Sequence, residues 1–156
     1  MPYRIVRVVA RRLNGRRGRF LLVHAVVFAA IGYSYLIAPA TSTRMGAFAW
    51  LLDALPLQVL GWPWLIAAVV AVVSAASYDP PRSDRAGFVA ITSVPLLWGM
   101  LFGFAWVAGF SPTAWISAVT YIGYALIVMV VASWPNPIDV EVIPTPPPPP
   151  PSGGER

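Results

Sequence analysis

AGFVAITSVPLLWGMLFGFAWVAGFSPTAWISAVTYIGYALIVMVVASWPNPI, Ala86 to Ile138, runs for 53 residues without a charged side chain. At about 1.5 Å per helical residue it would extend roughly 80 Å, against roughly 30 Å for the core of a bilayer. It therefore has to fold back on itself. The turning point is legible at Gly109-Phe110-Ser111-Pro112-Thr113. Pro112 cannot continue a helix, Gly109 suits a helix C-terminus, and Ser111 or Thr113 suits the next start. The stretch reads as two membrane-spanning helices, 87–109 and 113–134, joined by a very short hairpin.

Working outward, two further apolar runs complete the pattern. Phe20 to Ala38 is just long enough to span. Its basic start and the Ala38-Pro39-Ala40 sequence also resemble a cleavable signal. However, the run exceeds the usual apolar region of about 7–15 residues, and Pro39 lies inside the would-be site. Residues 20–38 are therefore expected to remain as a span. Leu57 to Tyr78 is the other run, with Pro63 in its first two turns, where a helix tolerates proline best. Between the two, Met45, Phe48, Leu52 and Leu55 recur at helical spacing. They predict a short interfacial helix between Pro39 and Pro56, too short to cross. Asp79 to Arg85 is a turn by composition. The expected fold is thus an all-α integral membrane protein, a four-span helical bundle over residues 20–134.

Composition agrees with lipid as the solvent. The chain is 58% hydrophobic and 11% charged, against about 25% charged in a soluble domain. Cysteine is absent and there is one histidine, His24, which excludes disulfides, thiolate chemistry and multi-histidine metal sites. All eleven basic residues are arginine, a bias expected of a GC-rich bacterial or phage gene.

Arginine placement sets the expected orientation. Arg4, Arg7, Arg11, Arg12, Arg16, Arg17 and Arg19 fill the arm of residues 1–19, and Arg82 and Arg85 flank the second loop on the same side. The opposite side carries Arg44 alone. Nine against one places the N terminus, and after four spans the C terminus, in the cytoplasm. The arm is expected to contact an anionic inner leaflet, with Arg4, Arg7 and Arg11 on one face of a short helix. Lacking interleaved aromatics, it is not expected to bind nucleic acid. Trp50, Trp62, Trp64, Trp106 and Trp115 then fall toward the outer interface, where indole rings settle. The tail, 135–156, contains Pro146 to Pro151, a polyproline II rod that is either a disordered spacer or a ligand for a proline-binding partner.

No catalytic or cofactor-binding motif is present, and no carboxylate lies in any span, so a non-enzymatic role without cofactor or metal is expected. His24 reads as an interfacial residue meeting water or headgroups. The sharper alternative is a contact with Ser74, Ser77, Thr92 or Ser93. Two stripes of small residues remain as candidate helix-packing sites: Gly99 with Gly103, a GxxxG, and Ala67, Ala71 and Ala75. The two stripes are expected to face each other within one chain. Two functions fit these residues. One is a scaffold or accessory subunit acting through helix packing and its cytoplasmic ends. The other follows from layout: a basic N terminus, a few uncharged spans and a polar tail resemble small phage and bacterial membrane proteins, some holins among them. That resemblance implies a lesion former that self-associates in the inner membrane of a bacterium or phage-infected host.

Overall fold

The computed structural model describes residues 15–37, 42–77 and 84–134. The arm up to residue 14, the Ala38-Pro39-Ala40 site, residues 78–83 and the tail from 135 lie outside them. So do Arg4, Arg7, Arg11 and Arg12, and the Pro146–Pro151 rod.

Within the described residues every element is helical. They are α1 (Arg16–Ile37), α2 (Ser42–Leu52), a 3-10 segment (Leu57–Gly61), α3 (Trp62–Ala76), α4 (Arg85–Val107) and α5 (Ala114–Ala132). Four stretches are long and apolar enough to cross a membrane: α1, the 3-10 segment with α3, α4 and α5. By length and composition these are membrane-spanning helices.

Local chemistry fixes the boundaries. α1 begins at Arg16, a full turn before the apolar run expected from Phe20, so the helix carries arginines past its apolar part. The second span is not one α-helix. Pro63 lacks an N–H and takes a place in the first turn of α3, so the α-helix starts at Trp62. The residues before it are wound as a 3-10 segment opened by Pro56, with the Trp62 N–H donating to the Val59 carbonyl. α4 carries Pro95 inside it. It ends in a Schellman motif: Gly109 takes φ +79°, its N–H reaches the Trp106 carbonyl at 3.0 Å, and the Phe110 N–H reaches Ala105 at 2.9 Å. The start of α5 differs from expectation. Neither Ser111 nor Thr113 caps it by side chain. Backbone bonds do so instead, Ala114 N–H to Ser111 and Ile116 N–H to Thr113.

The packing is up-down-up-down. α1 lies antiparallel on α3, and α5 antiparallel on α4, with α3 joining the two hairpins through its contact with α4. Leu21, Phe28, Trp64, Ile91, Trp98 and Val128 fill the interior as fully buried side chains. The outward faces are also apolar, with Val26 71% and Val107 79% exposed, the pattern of helices whose solvent is hydrocarbon. α2 seals one end. Its Phe48 is fully buried against Phe102, ring centres 4.9 Å apart, while Met45 on the expected apolar face remains exposed.

Candidate functional site

The site offered by the sequence is a set of helix-packing faces and a basic end. Gly99 is buried in α4, and it faces α5 rather than the alanine stripe of α3. A Cβ built on Gly99 would lie 2.6 Å from Ile122 Cγ1 and 3.3 Å from the Ala118 carbonyl oxygen. Gly103 approaches the same helix loosely, its added Cβ 3.9 Å from that of Ala118. The expected pairing of the two small-residue stripes is therefore corrected. α5 follows α4 after a six-residue connection, 108–113, and packs against its Gly99 face. Ala67, Ala71 and Ala75 are all buried within the core. One turn along α3, Ser74 receives α4 at Gly87, whose added Cβ would sit 2.8 Å from Ser74 Cβ.

The tightest backbone approach lies elsewhere. Gly32 of α1 and Gly61 of the 3-10 segment meet directly: a Cβ on Gly61 would be 2.7 Å from the Gly32 carbonyl oxygen, and one on Gly32 would be 2.9 Å from that of Gly61. Both are buried. The sequence signal was two isolated glycines 29 positions apart, with no motif to link them.

Arg17 holds the basic end together. Its Nε lies 2.7 Å from Asp84 Oδ2, an ionic contact without hydrogen-bond alignment. Its Nη1 donates to the Trp134 carbonyl at 3.0 Å. Its guanidinium sits over the Phe88 ring, 4.8 Å from the centroid, a favourable place for a cation. Arg17 thus joins the start of α1, the start of α4 and the end of α5. Read from sequence as a topology and lipid contact, Arg17 also makes these contacts within the bundle, and Asp84, at the head of α4, belongs to the clasp. Arg16 and Arg19 are exposed on the same turns.

His24 turns one ring nitrogen to its own helix. Its Nδ1–H donates to the Phe20 carbonyl at 2.7 Å, its ring lies 3.9 Å from that of Phe20, and Tyr124 of α5 is 5.5 Å away, centre to centre. Ser77, Thr92 and Ser93 donate to their own helices, at the Val73, Phe88 and Val89 carbonyls. A hydroxyl in hydrocarbon meets a backbone carbonyl four residues back with no rearrangement.

The tryptophans divide in two. Trp62, Trp106 and Trp115 are half-exposed at the end away from Arg17, as an interfacial belt requires. Trp64 departs from the expected belt and is 1% exposed. It stands edge-on to Phe28 at 4.8 Å and to Trp98 at 5.3 Å, and Trp98 donates its indole N–H to Tyr35 at 3.0 Å. A chain of aromatic contacts thus runs from α1 through α3 to α4, filling the interior with rings.

The chain matches no protein-family model, no curated protein and no solved structure. What the faces do has to be argued from their chemistry. Apart from the clasp, Ser34, Ser77, Thr92, Ser93, Thr120 and Ser133 donate to carbonyls of their own helices, and Trp98 donates to Tyr35. The arrangement fits holding helices and chain ends in place.

Proposed function

We propose that this chain is a non-enzymatic, multi-pass protein of a bacterial inner membrane, acting as a scaffold or accessory subunit through helix packing and its two cytoplasmic ends. The observation that carries this reading is the Arg17 clasp. It brings the start of α1 and the end of α5 together, so the basic arm and the proline-rich tail continue from one end of the bundle. Pro146 to Pro151, outside the described residues, are the candidate ligand for a proline-binding partner. The occupied Gly99 groove supports the same reading. The motif most apt for a self-association seam is filled by Ala118 and Ile122 of the same chain.

A holin-like lesion former, with a phage or phage-infected host as its setting, is the rival. Timed expression of the full chain in a bacterium, with a membrane-impermeant dye present, separates the two. The scaffold reading expects continued growth and dye exclusion. Abrupt growth arrest with dye entry would overturn it in favour of the lesion former.

A further inference from the structure

An open apolar groove of about 590 Å³ runs between α1 and α3 on the outside of the bundle. Its volume lies within the range of about 300–1,000 Å³ typical of small-molecule sites. Leu22, Val26 and Ala29 line one side, Ala68, Val69 and Val73 the other. Its position along the helices is informative. From Arg19 to Ala29 is ten residues of α1, about 15 Å of rise, or half of a roughly 30 Å bilayer core. The lining ends at Ala29, and one turn further along α1 Leu65 packs over Gly32, its Cγ 2.8 Å from where a Cβ of Gly32 would lie. A groove of one leaflet's depth fits an acyl chain, whereas a helix from a second copy would need a channel along most of the span.

The mouth carries charge. Arg19 lies three residues before Leu22 and seven before Val26, hence on that side of α1. Arg19 and Arg16 are exposed. Only Asp53 and Asp84 are acidic among the described residues; Asp84 is engaged by Arg17, and Asp53 follows α2 at the far end. Among the described residues, Arg16 and Arg19 at this mouth thus have no acidic partner. We propose that the α1–α3 groove is a binding site for one anionic phospholipid of the leaflet at the arginine end, its acyl chain along Val26 and Ala29 and its phosphate at Arg19. The proposal rests on the reading that these helices span a membrane, and it adds a defined, stoichiometric lipid to general surface attraction.

The test is native mass spectrometry of the full detergent-solubilised chain with added dioleoyl phosphatidylglycerol or dioleoyl phosphatidylcholine. The wild type should retain one phosphatidylglycerol in preference to phosphatidylcholine. Arg19→Gln should reduce that preference about fivefold, the equivalent of about 1 kcal/mol for one arginine at an anionic surface. Ala29→Phe, which fills the groove from an exposed position, should reduce retention of both lipids. Equal retention of the two lipids by the wild type, or retention unchanged by Ala29→Phe, would overturn the proposal. So would loss of a crosslinked dimer in Ala29→Phe with lipid retention intact, which would assign the groove to a second copy. Failure of the membrane reading itself shows separately, as recovery of the wild type in the soluble fraction.

Discussion

At the residue scale, a methyl group meets very different neighbours at each glycine, so alanine substitutions should rank the contacts. At Gly61 the obstacle is a backbone oxygen, 2.7 Å from the added carbon, which cannot move without shifting α1. Gly61→Ala should destabilise the detergent-solubilised protein by about 2–3 kcal/mol, at the upper end of overpacking effects. At Gly99 the nearest atom is the Ile122 side chain at 2.6 Å, with a backbone oxygen behind it at 3.3 Å. Partial relief by rotation leaves Gly99→Ala at about 1–2 kcal/mol. Gly103 has ordinary van der Waals room, so Gly103→Ala should be neutral or gain up to about 1 kcal/mol from lower chain entropy. Thermal unfolding of the three variants side by side checks the order. Equal losses at Gly99 and Gly103 would mean that the GxxxG acts as one unit, against the geometry. The spacing of the motif was legible in sequence because a four-residue repeat defines one helix face. The difference between its two glycines was not, because that depends on which side chain of α5 stands opposite. Gly61 carries no sequence signal for the same reason: its role exists only once Gly32 is placed against it.

At the scale of elements, the clasp is the one ionic link among the four long helices within the described residues. Arg17 is largely covered, its side chain 20% exposed, and Asp84 is 22% exposed. An ion pair in that setting is screened less than a surface pair and more than a core pair, and Arg17 also donates to a carbonyl. Arg17→Gln and Asp84→Asn should each lower stability by about 1–2 kcal/mol. The double variant should lose less than the sum, with a coupling of at least about 0.5 kcal/mol, because the two residues share one interaction. Strict additivity in chemical denaturation would sink the clasp as a structural element. Helix number and approximate extent were readable from the uncharged runs, since hydrocarbon admits little but helices. The 3-10 opening at Leu57–Gly61 was not. Pro63 marked a helix start, but what precedes a start is set by the approach of α1. The aromatic interior was half-readable: five tryptophans pointed toward one end, yet only packing could draw Trp64 inward onto Phe28 and Trp98.

At the scale of the whole molecule, the arginines do two jobs that mutagenesis can separate. As charges counted near the spans, nine on one side against Arg44 on the other favour a cytoplasmic N terminus. The clasp adds that α1 starts and α5 finishes at the same end, so both termini should be cytoplasmic. A reporter active only outside the cytoplasm, fused after Arg156, should stay silent; activity there would favour an odd number of crossings. Neutralising Arg11, Arg12, Arg16, Arg17 and Arg19 together leaves Arg4, Arg7, Arg82 and Arg85, four against one, and should yield mixed orientations by reporter fusion and protease accessibility. Arg17→Gln alone leaves eight against one, so orientation should hold while stability falls. Charge bias acts during insertion, through the number of arginines near each span, whereas the clasp acts on the folded bundle, through one side chain in one geometry. A fivefold variant that inserts uniformly with its N terminus inside would show that the loops or the spans set orientation. An Arg17→Gln protein of mixed orientation would show that the two roles reside in the same residue.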